Sequence, residues 1–314
     1  MLKNIMPKNS LLKPLGQALV TVSLSILLSS CHIDQEPAET IARTTDTLRI
    51  YQPGDFIEYN VTAVFSADGA FITTQGSMRV QWESTAPLID PIDQSSHPVL
   101  KETTTFTYDD EISPDATVIR YITQVDTTPP SPNQGSILLH AISDGNDLYW
   151  LYDNDAGASP DNSNTPVISP IVFDSPITVG VAPLSSPINF SVMEGCDPGL
   201  SLCGTRVFDF NDSYTVEGDT KEIPTNLGTF INPFELSFTG GTIPKTDLAL
   251  SVLGDFRNTC GDSTSETISH NGNIFVVPEI GIVQITNLCR IISGSSGDVN
   301  YTITVNNTNI PLPQ

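Results

Sequence analysis

Beyond the first thirty positions, this chain has no stretch of about ten or more residues with a clean 3.6-residue apolar period, which excludes a helical bundle or an α/β layer fold. Basic residues are scarce: 13 Lys and Arg stand against 36 Asp and Glu, for a net charge of −23. A chain so acidic repels nucleic acid and anionic lipid surfaces. It suits a cationic partner, a cation-rich medium or plain solubility. Gly-x-Ser-x-Gly, His-Glu-x-x-His and Cys-x-x-Cys are missing, as are a phosphate-cradling loop and a dinucleotide fingerprint. No cofactor is therefore expected, and the chain reads as non-catalytic.

Long apolar runs are also missing, with one exception. Leu15 to Leu28 is apolar, diluted by Gln17, Thr21, Ser23 and Ser25, and is preceded by Lys3, Lys8 and Lys13 with no acid before Asp34. The run is too short and polar for a bilayer span, which needs roughly 20 apolar residues, and it has the layout of a secretory signal. It ends in Leu28-Ser29-Ser30-Cys31. Leu at −3, small residues at −2 and −1, then Cys resembles the lipobox of bacterial lipoproteins. The resemblance implies that residues 1–30 are a signal peptide and that the Cys31 sulfur carries a diacylglyceryl group. It also implies a palmitate-like acyl chain on the new amine. Several acyl chains, each methylene contributing about 0.8 kcal/mol, make such an anchor effectively permanent. His32 rather than Asp follows the cysteine, which by resemblance to enterobacterial sorting points to the outer membrane, on its periplasmic or surface face.

Residues 31–47 are polar and aperiodic and are expected to form the lipidated cysteine and its tether. The domain is expected over 48–314. Ile57, Tyr59, Val61, Ala63 and Phe65 alternate with polar residues, as do Met78, Val80 and Trp82, and Thr104, Phe106 and Tyr108. This is the period of half-buried strands. Gly76 is expected to mark a bulge. Ser143-Asp144-Gly145-Asn146-Asp147 separates two apolar runs, 137–142 and 148–152, as a hairpin would. Further strands are expected at 118–125, 188–193, 206–216, 227–238, 248–256, 274–277, 280–288 and 299–305. Prolines recur every few residues over 166–187 and mark an edge segment, or a division between two sheets or sub-domains. The fold class is all-β, mainly antiparallel, built as curved sheets in a half-barrel or sandwich.

Four cysteines remain after the lipobox: Cys196, Cys203, Cys260 and Cys289. An even set in an exported chain reads as two disulfides, with three connectivities open. Cys196–Cys203 across a Gly- and Pro-containing loop and Cys260–Cys289 between two late strands are preferred. Of the histidines, His32 lies beside the lipid, while His97, His140 and His270 are the residues a nucleophilic triad could use. His140 lies on a strand with Leu138 and Leu139 and reads as packed or surface-facing. Asp153, Asp155 and Asp161, with Asn154 and Gly157, form a candidate calcium loop, for oxygens at alternating positions suit that ion, but the distal Glu of an EF-hand is missing and a solvated acidic loop explains the same residues.

Three phrases carry a resemblance across most of the domain: Tyr51-Gln-Pro-Gly-Asp-Phe-Ile-Glu-Tyr59, Glu222-Ile-Pro-Thr-Asn-Leu-Gly-Thr-Phe230 and Gly272-Asn-Ile-Phe-Val-Val-Pro-Glu-Ile-Gly-Ile-Val283. Their order and spacing resemble uncharacterised bacterial lipoproteins whose curved sheets are like the half-barrel of LolA/LppX-type carriers. That resemblance implies a fold and a concave face open to a protein, glycan or apolar ligand. It transfers no catalytic residue. The alternative is a carboxylate-dependent hydrolase of envelope polysaccharide, which would need two acids roughly 5–10 Å apart in one cleft.

Overall fold

The computed structural model describes residues 39–313, apart from 68–69, 92–93, 110–115, 127–133, 144–147, 154–170, 174, 181–187, 195–203, 211–212, 219–220, 240–242, 245–258, 261–266 and 292–297. The described residues form strands and turns, with no helix among them. The strands are β1 (Thr40–Ala42), β2 (Phe56–Ala67), β3 (Ala70–Ser84), β4 (Leu88–Ile89), β5 (Ser96–His97), β6 (Leu100–Tyr108), β7 (Ala116–Gln124), β8 (Ile137–Ser143), β9 (Leu148–Asp153), β10 (Ile171–Phe173), β11 (Ile188–Glu194), β12 (Gly204–Phe210), β13 (Ser213–Gly218), β14 (Glu222–Thr225), β15 (Gly228–Ile231), β16 (Phe234–Thr239), β17 (Ile243–Pro244), β18 (Thr259–Cys260), β19 (Thr267–Val277), β20 (Gly281–Ile291) and β21 (Asp298–Thr308).

One antiparallel sheet takes up most of them, in the order β12-β11-β9-β8-β7-β6-β3-β2-β21-β20-β19-β16-β13, with β10 on β8 and both β17 and β18 on β19. Apart from the short insertions, this is an up-and-down path that starts at β2 and returns beside it at β21. Its two ends, β12 and β13, are consecutive in the chain. Three Cα steps from Phe210 to Ser213 hold the edges within about 11 Å of each other at that corner. The sheet is therefore curled round without its edges pairing. The inside of the curl confirms it: Ile137 of β8 packs in one cluster with Ile274 of β19 and Leu236 of β16, strands far apart in the ladder. Leu48 and Ile177 fill the space between these walls.

Alternation decides which side chains enter. Ile57, Tyr59, Val61 and Ala63 of β2 are buried, as are Met78, Val80 and Trp82 of β3 and Glu102, Thr104 and Phe106 of β6. Gly76 is not a bulge. The β2–β3–β6 register runs through it unbroken, opposite Val61 and Tyr108. A Cβ there would strike the Thr107 carbonyl and lie 3.3 Å from the Tyr108 ring, so the glycine makes room for that ring. The Tyr108 hydroxyl reaches Tyr301 Oη at 3.2 Å. Irregularities fall instead at Glu58/Tyr59 against β21, at Tyr121/Ile122 against β8 and at Phe275/Val276 against β20.

Two boundaries differ from the sequence expectation. The folded unit starts at Glu39, not at residue 48, because β1 pairs parallel with β15 and Ile41 is 1% exposed. A run of polar text hides this single apolar anchor. The Pro-rich stretch does not separate two sheets either: strands from both sides of it share the large sheet, with β10 on β8 and β11 on β9.

Candidate functional site

The three phrases that carry the lipoprotein resemblance meet at one end of the curl. Tyr51 Oη donates to the Ile280 carbonyl at 3.1 Å, and a Cβ on Gly281, whose φ is +120°, would strike that hydroxyl. Gly228, at φ +136°, lies so close to the Glu39 carbonyl that a side chain would collide with it. Glu279 Oε1 accepts from Thr44 N at 2.6 Å and Thr45 N at 2.9 Å. Ile41, Tyr51, Ile57, Ile223, Phe230 and Ile280 share one core cluster. The glycines of these phrases thus permit close approach between segments distant in sequence.

Inside the curl, the register sets Trp82, Glu102 and Arg120 in one row across β3, β6 and β7. The strict alternation of β6 sends Glu102 inward with Thr104 and Phe106, leaving it 3% exposed. A lone carboxylate there would cost several kcal/mol. Arg120 offsets this by placing Nε 2.6 Å from Oε1, with its terminal nitrogen on the same oxygen, while Trp82 Nε1 donates to Oε2 at 3.0 Å. The Trp82 ring stacks on Tyr51 at 3.9 Å, 6° from parallel. Tyr51 N donates to Gln124 Oε1 at 2.7 Å, and Arg49 binds Asp55 at 2.9 Å. Burial, then the Glu102 charge, pushes the Tyr51 phenol well above its ordinary range. Burial does the same to Tyr59, whose hydroxyl donates to the Ile282 carbonyl at 3.0 Å. Both phenols are neutral donors that fix the wall. Arg120 shares the inward row with Glu102, and 24% of its side chain is exposed.

Among the described residues, the β4–β5 hairpin pairs only with itself, and it meets β7 through Thr123 and β8 through His140. It brings His97 against His140, with ring centroids 4.6 Å apart. His97 Nε2 lies 2.7 Å from Ser95 Oγ. Thr123 Oγ1 donates to the Pro98 carbonyl at 3.0 Å, so the His140 Nε2 at 2.9 Å must be the donor to that hydroxyl. Burial, and secondarily the His97 charge, lowers the His140 pKa to about 4. His140 is packed, one of the two expectations for it; its pairing with His97 has no signal in the linear sequence, for 43 positions of chain separate them.

The other expected site residues fall as follows. Cys31, His32, Cys196, Cys203, Asp155 and Asp161 lie outside the described residues. Asp153 ends β9 opposite Phe190. His270 stands on β19 opposite Thr259. The backbone lays β18, with Cys260, against both β19 and β20, and β20 carries Cys289. Among the described residues, no group of three or more His, Cys, Asp or Glu is gathered as a metal would require. No described helix is long and apolar enough to cross a membrane.

Fold and site together define a curled, open antiparallel β domain with a charge-balanced interior. Comparison with known proteins finds no matching family model, no matching curated protein and no matching solved structure.

Proposed function

We propose that the chain is an envelope lipoprotein held in the outer membrane through acyl chains on Cys31, and that its β domain is a non-catalytic binding or structural module. The leader supports the anchor: charge, apolar run, small residues and cysteine follow in the order that lipidation needs. The observation that carries the non-catalytic reading is Glu102. Both its oxygens are taken, by Arg120 and Trp82, so it braces the wall and is not offered to a substrate. A part-exposed Arg120 in one row with Glu102 and Trp82 suits a polar ligand such as a glycan or a protein segment better than a purely apolar one. The hydrolase alternative would draw on Glu102 and Asp55, the two carboxylates that both bear on the Tyr51 phenol. Asp55 is held by Arg49 and by the Gln52 amide at 2.9 Å.

Labelling cells with a palmitate analogue and fractionating them tests the anchor. The wild type should carry label in the membrane fraction, and Cys31→Ala should lose both label and membrane association. Label that persists in Cys31→Ala would overturn the anchor. Polysaccharide turnover by the purified protein that disappears in Glu102→Gln would overturn the non-catalytic reading in favour of the hydrolase.

A further inference from the structure

A second buried carboxylate, outside the network just described, has partners of a different kind. Glu235 lies on β16 and is 7% exposed. Its Oε2 is 2.7 Å from Lys221 Nζ, and its Oε1 accepts from Asn273 Nδ2 at 2.8 Å. Lys221 immediately precedes β14, and Asn273 lies on β19, the strand beside β16. Glu235 pairs across the ladder with Phe275, which is 3% exposed, and the Lys221 amine sits 4.9 Å from the centre of that ring. One carboxyl group, backed by an apolar ring, therefore holds a primary amine on one oxygen and a primary amide on the other.

We propose that Lys221 and Asn273 become joined by an intramolecular isopeptide bond, with Glu235 as the proton carrier. The step balances without any oxidant or reductant. Glu235 accepts a proton from the Lys221 ammonium, leaving a neutral amine with a free electron pair. That pair attacks Cγ of Asn273, and a carbon–nitrogen bond forms. The bond from Cγ to Nδ2 breaks, and Glu235 returns a proton to the departing nitrogen through the oxygen that already receives its N–H. Ammonia leaves and takes up the amine's remaining surplus proton as ammonium. A lysine and an asparagine become one secondary amide plus ammonium.

The surroundings suit each part. Glu235 places one oxygen on each reactant, so it can take a proton from one nitrogen and give one to the other. Lys221 keeps 52% of its side chain exposed and Asn273 is half-buried, so neither reactant is sealed from solvent. An arginine could not act here, because its guanidinium does not give up a proton. The remaining described lysine beyond the leader, Lys101, pairs at 3.2 Å with Glu83, a carboxylate 44% exposed, and among the described residues no amide is bound to it. The bond would fasten the start of β14, and with it the small β1–β15–β14 sheet, to the large sheet. β1 is the first strand of the fold, so a pull on the N-terminal anchor enters through the sheet that the bond secures.

Peptide mapping of the full-length protein, reduced with thiol before digestion, tests the bond. Trypsin should fail to cut after Lys221. The peptides holding Lys221 and Asn273 should run as one species, lighter than their sum by one ammonia and unchanged by reductant. Lys221→Arg keeps a cation opposite Glu235 and should release separate peptides, as should Asn273→Ala. Glu235→Gln should lose the link while circular dichroism stays native. Separate wild-type peptides with a cleavable Lys221 would overturn the proposal, whatever the variants do. Full linkage in Glu235→Gln would overturn the role of Glu235. Neither outcome depends on whether Cys31 is lipidated.

Discussion

Glu102 and Glu235 are both carboxylates on antiparallel strands with less than a tenth of their surface exposed, yet their partners lead to different chemistry. Glu102 faces a guanidinium and an indole N–H, donors that do not give up their protons under physiological conditions. Its interactions end in a fixed geometry. Glu235 faces an ammonium that can be deprotonated and an amide that can be attacked. The difference teaches that burial alone does not mark a reactive acid. The reversibility of the neighbouring proton donor does, and only one of these two sites has it.

The largest expected effect separates the sites by stability. Glu102→Ala leaves the Arg120 charge and the Trp82 N–H without their acceptor inside the curl, at a cost of about 3–5 kcal/mol. Glu235→Ala releases Lys221, already half in water, and should cost about 1 kcal/mol as an ion-pair loss, with any further loss arising from the missing covalent link. Urea unfolding of both variants decides it. Equal losses in protein isolated before any link forms would erase the distinction. Glu102→Leu combined with Arg120→Met should recover much of the first loss, since an apolar pair can replace a buried ion pair.

Next in size is acid sensitivity, expected under the outer hairpin. The His140 pKa is about 4 in the folded state against 6.5 unfolded, so the fold binds fewer protons than the unfolded chain in between. Its contribution is complete above pH 6.5 and is lost as the pH falls towards 4, by at most about 3 kcal/mol. Thermal melts across that window should show the decline, and His140→Gln should flatten it. A wild-type melt that is level from pH 7 to 4.5 would remove the histidine from this role.

Much of the large sheet is legible in the amino-acid sequence. The period-two runs in β2, β3 and β6 name their own inward residues, Glu102 included, because a carboxylate in the series Leu100, Glu102, Thr104, Phe106 must share their face. Its partner is not legible, because Arg120 meets it only through the β6–β7 register. β1 is hidden for a related reason: three residues carry no periodicity, and their parallel partner is Thr229 to Ile231, far along the chain. Gly76 misleads because a glycine inside a strand marks either a bulge or a close approach, and only the position of Tyr108 separates the two. Lys221, Glu235 and Asn273 are unremarkable residues until three elements bring them together.

The smallest effect distinguishes the two carboxylate sites without touching either. Gly281→Ala places a methyl group against the Tyr51 hydroxyl at a φ of +120° that alanine rarely adopts. The expected cost is about 1–3 kcal/mol, from strain and overpacking together. Tyr51 must then leave the Ile280 carbonyl, and its ring must shift on Trp82, whose N–H holds Glu102. Near-ultraviolet circular dichroism and tryptophan emission should therefore change while the Lys221–Asn273 linkage yield stays at its wild-type value, because Glu235 is held by Lys221 and Asn273 and not by the Tyr51–Trp82–Glu102 series. A linkage yield that falls in step with the tryptophan signal would mean that the two sites are one coupled unit, and the contrast between an inert and a reactive carboxylate would have to be drawn within that unit.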